Sequence, residues 1–289
     1  MINFSTIATL LVDGVSYGMI LFLISAGLTI TLGVMRVVNL AHCAFAMAGG
    51  YAALGFVRYW GLDLLSALVL ATVLTVVLGA VLERTVYRWV YATSQLGQIL
   101  MTIGLVFVMI ASANLAFGSS LQSLPVPAWL AGTWETPAFT LSVYRGFLVV
   151  VSVALAVGLW ALLEFTEFGA KLRAAVDNPR MARCVGINVP RVFAITFAGG
   201  CGLAAIGGIL GNQMLPLEPW YALKYLVPVL IVVAVGGLGS LKGSFYAAVI
   251  LGLVDTFGRY YIPAGGAFII YVASGLALLW RPEGLFGRA

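Results

Sequence analysis

Long apolar runs constrain this chain more than any other feature of its sequence. Several approach or exceed the roughly 20 residues that a helix needs to cross about 30 Å of hydrocarbon. They lie at 9–33, 37–57, 64–82, 98–117, 141–163, 192–211 and 264–280. Only 9% of the 289 residues are charged and the mean hydropathy is +1.09, whereas soluble domains carry about 25% charged residues. The sequence therefore predicts an all-α polytopic membrane protein, with residues 1–289 forming one transmembrane domain.

A glycine-rich break divides the late apolar region 225–257. This region is too long for one ordinary span, since a helix rises about 1.5 Å per residue, and "GGLGSLKGS" interrupts it at 236–244. One interpretation is a broken or re-entrant element that places the backbone of Gly236, Gly237 and Gly239 on a translocation path, as unwound backbone is tolerated where it lines a cavity. The other is a tight cytoplasmic turn between two short spans. The prediction is therefore eight to nine transmembrane elements with a glycine-broken late segment.

The basic residues favour nine elements with the N-terminus outside, because short cytoplasmic loops carry an excess of Lys and Arg. With two crossings in 225–257, 11 of the 15 basic residues fall inside. The inside set is Arg36, Arg84, Arg88, Lys171, Arg173, Arg180, Arg183, Arg191, Lys242, Arg281 and Arg288, and the outside set is Arg58, Arg145, Lys224 and Arg259. The loop at 118–140, which has no basic residue, is then extracytoplasmic.

The most charged stretch, residues 164–191, is predicted to be one long cytoplasmic loop. Two short helices are expected in it, near 168–176 and from about 179 to 185. Asn178 is a candidate N-cap before Pro179, and Gly186 is a natural C-terminal stop. A helix pair of this size fits a groove on a soluble partner. The alternative is a solvated loop whose charges only set the topology.

A polar cluster interrupts the apolar sequence "GVMRVVNLAHCAFAMAGGY" at 33–51. It contains Arg36, Asn39 and His42, the only histidine of the chain. Arg36 is expected to mark the cytoplasmic end of the first span. Asn39 and His42 are three residues apart, so on a helix they would share a face. They are predicted either to satisfy each other or a backbone carbonyl in packing, or to line the translocation path.

Several function classes are disfavoured by what the sequence offers. There is no G-x-x-x-x-G-K-[ST] loop for nucleotide phosphates, and one histidine does not make a multi-histidine metal site. No nucleophile and base stand at a catalytic spacing, so neither an enzyme nor a bound cofactor or metal is predicted. The net charge of +5 is explained by membrane topology rather than by nucleic acid. Carboxylates within the spans are sparse, which weakens a self-contained secondary transporter or channel but leaves it as the alternative.

Four motifs stand in order along the chain. They are "GLTITLGVMRVVNLAH" at 27–42, "LERTVYR" at 82–88, "VAVGGLGSLKGSFYAAVILGLVD" at 233–255 and "RPEGLFGR" at 281–288. Together they resemble the motifs of the branched-chain amino-acid permease family of ABC importers. The predicted cytoplasmic loop at 164–191 is similar to the coupling loop of that family. The family's loop reads T-x-F-G-x-x-L-R-A followed by N-P-x-x-A-R-x-x-G-I-N-V. The general coupling signature of ABC importers is E-A-A followed by three residues and Gly. Ala182 matches its second Ala and Gly186 its Gly, while Arg180 and Met181 replace the Glu and the first Ala.

The resemblance implies a permease subunit that imports branched-chain amino acids, or a related small polar or zwitterionic solute such as urea, an amide or an aromatic acid, across the inner membrane. Its implied partners are a second homologous permease subunit, two cytoplasmic ABC ATPases, an extracytoplasmic substrate-binding protein and membrane lipid, without nucleic acid. ATP hydrolysis is expected on the ATPases and not on this chain. The residues expected to couple to the ATPases are Phe168, Gly169, Arg173, Asn178, Ala182, Arg183 and Gly186.

Overall fold

The computed structural model describes residues 4–35, 39–90, 93–135 and 140–287 of the chain. Its helices are α1 Phe4–Met35, α2 His42–Trp60, α3 Leu64–Leu82, α4 Arg88–Val90, α5 Gln95–Phe117, α6 Val143–Phe165, α7 Glu167–Asp177, α8 Pro179–Cys184, α9 Val189–Gly211, α10 Tyr221–Lys224, α11 Leu226–Gly236, α12 Leu241–Tyr261 and α13 Gly266–Trp280. A π-helical turn, Glu83–Tyr87, joins α3 to α4. Two short strands, β1 Thr133–Glu135 and β2 Thr140–Ser142, pair antiparallel.

The predicted polytopic helical architecture is confirmed. Six helices within the described residues are long and apolar enough to cross a membrane, namely α1, α3, α5, α6, α9 and α12. The segment Tyr221–Gly236 and α13 are shorter apolar helices, and α2 has 19 residues. Two corrections apply: the chain is not strictly all-α, because β1 and β2 pair in the region after α5, and the second span begins at His42 rather than at 37. Arg36 and Arg288 lie outside the described residues.

Three helices, α1, α9 and α12, form the central trunk of the molecule. α1 runs antiparallel to both partners, and glycines stand at the contacts. A Cβ on Gly27 would lie 2.4 Å from the carbonyl oxygen of Gly200 in α9, and a Cβ on Gly252 would lie 2.5 Å from the amide nitrogen of Gly18. Backbones approach this closely only where side chains are absent, which is how small residues build helix interfaces in membranes.

The α2–α3 hairpin packs on the other side of α9. A Cβ on Gly208 would lie 2.1 Å from the carbonyl oxygen of Ala46, and one on Gly79 would lie 2.8 Å from Sγ of Cys201. α5 and α6 are peripheral instead, and expose apolar side chains such as Val108, 62% exposed, and Val150, 68% exposed. Exposed apolar surface on this scale fits contact with lipid or with another membrane subunit.

The two ends of the helix bundle differ in charge. We call the end that carries α7, α8 and the Gly237–Ser240 turn the loop end; α1 and α3 finish there and α9 and α12 begin there. Of the described residues, nine basic and five acidic ones lie at the loop end. The opposite end has four basic and five acidic ones, and three of its four basic side chains form ion pairs: Arg145 with Asp13, Lys224 with Glu218 and Arg259 with Asp255.

The Gly27–Gly200 contact generates a stability prediction. Gly27→Ala would force the new methyl group against a backbone carbonyl, and overpacking of this kind costs about 1–3 kcal/mol. We expect a lower thermal unfolding midpoint for the purified protein in detergent. Gly199→Ala is the matched control, because no heavy atom lies within 4 Å of its Cβ position. Equal midpoints for the two variants would contradict the close approach of α1 and α9.

Candidate functional site

The long loop between α6 and α9 folds back onto the helices that flank it. Thr166 caps α7 by accepting a hydrogen bond from the Gly169 amide at 3.3 Å. Gly169 itself lies on the carbonyl of Leu163 in α6, 2.0 Å from where a Cβ would stand, so no larger residue fits. The Arg173 guanidinium donates to the same Leu163 carbonyl. These contacts fix the start of α7 to the end of α6.

The second helix of the loop, α8, is bounded as the sequence predicts. The Asn178 side chain accepts from the Met181 amide at 3.1 Å, which is an N-cap. After α8, Gly186 has φ 85°, and the Ile187 amide donates to the carbonyl of Ala182 at 2.9 Å. This left-handed glycine is a common way to end a helix.

A small apolar cluster holds the loop against the trunk. Leu172, Ala175, Ala182, Val189 and Val192 are buried together, and Ile30, Leu163, Phe168, Ile187 and Phe193 pack around them. Ala182 is only 3% exposed. The side chain that matches the coupling signature therefore points into this chain, while Phe168 also packs inward. Ala182 and Phe168 therefore contribute to the site by holding α7 and α8 against the bundle.

The face of α8 that points away from the protein carries two apolar side chains. Met181 is 62% exposed and Val185, just after the helix, is 74% exposed. Residues four apart lie on one side of a helix, so the two form a continuous apolar strip, which we call the outer face of α8. Sequence reasoning missed these two residues. The feature of the sequence that could have identified them is that two apolar residues, Met181 and Val185, stand four apart in an otherwise charged segment.

Charges surround the outer face of α8 and are mostly basic. Lys171 donates to Glu167 at 2.9 Å, and this hydrogen bond holds the pKa of the Glu167 carboxyl below its usual value. Among the described residues, Arg180 and Arg183 form no ion pair within 4.0 Å. The loop thus presents an apolar strip with unpaired arginines around it, which suits an acidic, apolar groove on a partner.

Asn39 and His42 lie apart from the loop and are buried. His42 is 1% exposed, and its Nε2 donates to the Ile24 carbonyl of α1 at 2.9 Å. The Asn39 side-chain oxygen accepts from the Tyr87 hydroxyl at 2.7 Å and from the Ala41 amide at 3.1 Å. The predicted shared helix face is wrong, because Asn39 precedes α2. The predicted backbone-carbonyl partner is confirmed for His42.

The glycine-rich segment forms a turn between two helices. α11 ends at Gly236 and α12 begins after Ser240, whose hydroxyl accepts from the Gly243 amide at 3.1 Å. Gly237 and Gly239 have φ of 97° and 81°, a region that favours glycine. The C-terminal segment closes over the turn, since the Leu285 amide donates to the Val235 carbonyl at 2.7 Å. The motif "RPEGLFG" thus packs on this turn and is hydrogen-bonded to the end of α11.

Two carboxylates near the opposite end are paired with arginines. Asp255 is only 3% exposed and accepts from Nε of Arg259 at 2.7 Å. Asp13 accepts from Arg145, which joins α1 to α6. Burial requires such pairing, because an isolated charge in a low-dielectric region is costly. In the described parts of the chain, no three His, Cys, Asp or Glu side chains come together as a metal site.

The candidate residues therefore fall into three separate places. The loop residues Phe168, Gly169, Arg173, Asn178, Ala182, Arg183 and Gly186 are brought together at the loop end. The turn of Gly236, Gly237 and Gly239 lies at that same end, where Gly239 contacts Gly33 of α1. Asn39 is bound to Tyr87 of the π-helical turn and His42 to Ile24 of α1.

The helical bundle and its folded-back loop define a multi-pass membrane permease. The family model described as "Branched-chain amino acid transport system / permease component" matches residues 10–279. The chain belongs to this family, and its role is transport rather than catalysis. It is accordingly a multi-pass protein of the cytoplasmic (inner) membrane.

Curated relatives match almost end to end. The chain is 26% identical to the high-affinity branched-chain amino acid transport system permease protein LivH of Escherichia coli (strain K12), over 96% of this chain and 94% of the relative. It is 27% identical to BraD of Pseudomonas aeruginosa, over 96% and 95%. Among solved structures, PsaBC from Streptococcus pneumoniae in complex with a Fab matches with a TM-score of 0.50 and 13% identity, over 93% of this chain and 89% of that chain. This last likeness concerns the fold alone.

The left-handed glycine at the end of α8 generates a prediction. Gly186→Val places a β-branched residue at φ 85°, which costs about 1–3 kcal/mol. We expect faster amide hydrogen exchange across 179–187, with exchange in α12 unchanged. Cys184→Ser, at an exposed neighbouring site, serves as the control and should exchange like the unmodified protein. Unchanged protection in the Gly186 variant would show that this helix end does not depend on glycine.

Proposed function

We propose that this chain is the membrane-spanning subunit of an ATP-driven importer of branched-chain amino acids or closely related zwitterions. In this proposal it pairs with a second homologous permease subunit, docks two cytoplasmic ATPases and receives its solute from an extracytoplasmic binding protein. The substrate class is supported by the family and by the names of LivH and BraD. ATP hydrolysis belongs to the partner subunits.

The observation that carries the proposal is the outer face of α8. Met181 and Val185 are exposed apolar residues on a short helix outside the bundle, and the cluster around Ala182 holds that helix against α1, α6 and α9. A solvated loop would gain nothing from exposed apolar side chains, whereas a helix that enters a groove on a partner would. Gly169, Arg173, Asn178, Arg183 and Gly186 position this face for the ATPase.

We further propose nine transmembrane elements with the loop end in the cytoplasm. The elements are α1, α2, α3, α5, α6, α9, the pair α10–α11, α12 and α13. Successive elements run in opposite directions between the loop end and the opposite end of the bundle. The excess of basic residues at the loop end supports its cytoplasmic placement. The strand pair and the region following α5 are then extracytoplasmic.

The residues predicted to line the translocation path are proposed to act indirectly. Asn39 and His42 are buried within the subunit, and the backbone of Gly236, Gly237 and Gly239 is covered by α1, α12 and the C-terminal segment. We therefore propose that the solute passes along a surface shared with the second permease subunit. Asn39, His42 and the glycine turn shape that surface by fixing the helices behind it.

Charging the outer face of α8 tests the proposed coupling. Met181→Asp combined with Val185→Asp should reduce recovery of the ATPase subunits with the purified permease at least tenfold, because central apolar contacts dominate interface energies at about 2 kcal/mol or more each. Solute-stimulated ATP hydrolysis in the reconstituted complex should fall in parallel.

Leu121→Asp is the matched control for this experiment. Leu121 is 64% exposed but lies at the opposite end, so this variant should retain its ATPases. Retention of the ATPases by the α8 double variant, together with transport that persists after ATP depletion, would overturn the proposal. That combined result would favour the self-contained secondary transporter or channel.

Labelling of introduced cysteines tests the nine-element topology. Cys43 and Cys201 are buried, so in a background with Cys184→Ser, Leu238→Cys and Phe286→Cys should react with a membrane-impermeant maleimide only in inside-out vesicles. Ile262→Cys should react only in right-side-out cells, because α12 lies between it and Leu238. All three native positions are exposed, at 70%, 48% and 56%. Labelling of Leu238→Cys and Ile262→Cys from the same side would contradict the crossing of α12.

A further inference from the structure

A basic groove lies at the loop end between the π-helical turn and the start of α9. Its volume is about 710 Å³, and it is lined by Ala80, Glu83, Arg84, Arg88, Pro190, Arg191, Ala194, Ile195 and Ala198. The groove is separate from the outer face of α8 and from the glycine turn. None of the residues in the proposed coupling set lines it.

Three arginines converge on this groove without protein counterions close enough to pair with them. Among the described residues, Arg84, Arg88 and Arg191 form no ion pair within 4.0 Å. One carboxylate, Glu83, also lines the groove and is buried. The four charges leave an excess of two positive charges, and the N-terminal end of α9 adds a further positive potential. A singly or doubly charged anion fits this balance.

The local backbone explains why the arginines converge. Arg84 and Arg88 lie within or next to the π-helical turn Glu83–Tyr87, so the two residues, four apart, project to the same side of the helix. Arg191 follows Pro190 in the first turn of α9, and its amide donates to the Asn188 side chain at 3.1 Å.

The groove continues from its charged mouth into an apolar wall. Ala194, Ile195 and Ala198 of α9 line its deeper part with Ala80, and Ile195 is 50% exposed. Farther along α3, Val77 and Val81 do not line the groove but are 53% and 52% exposed, so apolar surface is also available on α3 beyond the groove. A ligand with a phosphate at one end and an acyl chain at the other matches both parts.

We propose that this groove binds an anionic phospholipid of the surrounding bilayer, with the phosphate held by Arg84, Arg88 and Arg191 and an acyl chain lying along α3 and α9. Basic pockets between transmembrane helices on the cytoplasmic side suit phospholipid headgroups, and arginine forks suit phosphate oxygens. The apolar wall favours the lipid over free phosphate, which would leave that wall uncovered. The inference does not depend on the transported solute or on ATP.

Native mass spectrometry of the purified complex with added lipid tests the proposal. Phosphatidylglycerol should bind more tightly than phosphatidylcholine of the same chain length. Each lost arginine should weaken phosphatidylglycerol about fivefold, since a basic residue near an anionic lipid surface contributes about 1 kcal/mol. Arg84→Gln combined with Arg191→Gln should therefore weaken it about 25-fold. Arg84→Lys combined with Arg191→Lys keeps the charge and should retain most of the binding, which separates charge from misfolding.

Arg58→Gln combined with Lys242→Gln is the matched control, because it removes the same charge from sites outside the groove and away from the outer face of α8. It should leave phosphatidylglycerol binding unchanged. Inorganic phosphate at millimolar concentration should not displace the lipid. Equal binding of both lipids, equal loss in the control, or displacement by phosphate would overturn the proposal. Unchanged lipid binding with loss of ATPase subunits from the groove variant would also overturn it, and would assign these arginines to a protein interface.

Discussion

The close approach of α1 to α9 and α12 is the constraint on which the rest of the structure depends. In a membrane there is no water to drive apolar helices together, so their association relies on packing and on backbone contact. Gly27 against Gly200 and Gly18 against Gly252 allow that contact. A hydrogen bond between the hydroxyls of Thr29 and Ser244 at 2.7 Å also joins α1 to α12. The trunk that results carries α2, α3, α6 and α11, which pack directly on α1 or α9.

Elements outside the trunk are held by fewer contacts and expose more apolar surface. α5 and α6 show most of their side chains to their surroundings, whereas α9 is largely buried. A subunit with one enclosed side and one exposed side is suited to pairing, since obligate membrane partners and lipid both cover apolar surface. The charged ends then orient the subunit. In the proposed complex, partner binding at the loop end and pairing along the exposed helices would use different parts of the molecule and need not compete.

The sequence predicts local features well and long-range contacts poorly. Helix bounds follow from apolar runs and caps, so Asn178, Pro179 and Gly186 were placed correctly from neighbouring residues alone. The contacts of Asn39 with Tyr87 and of Asp13 with Arg145 join residues 48 and 132 positions apart, and no local pattern encodes them. Ala182 is expected to couple to the ATPases because it matches a family signature. Burial, which depends on the tertiary arrangement of Val189 and Leu172, places it inside.

The way the loop is attached limits how a partner's motion can act on the bundle. Gly169 and Arg173 bind α7 to the end of α6, while Ala182 packs with residues at the start of α9 and near Ile30 of α1. A force on the outer face of α8 therefore reaches three helices at once. Since α1 and α9 touch through backbone atoms at Gly27 and Gly200, they have little room to slide independently. We infer that the trunk moves as one body, and that a change of access arises at the surfaces between this trunk and its neighbours rather than within it.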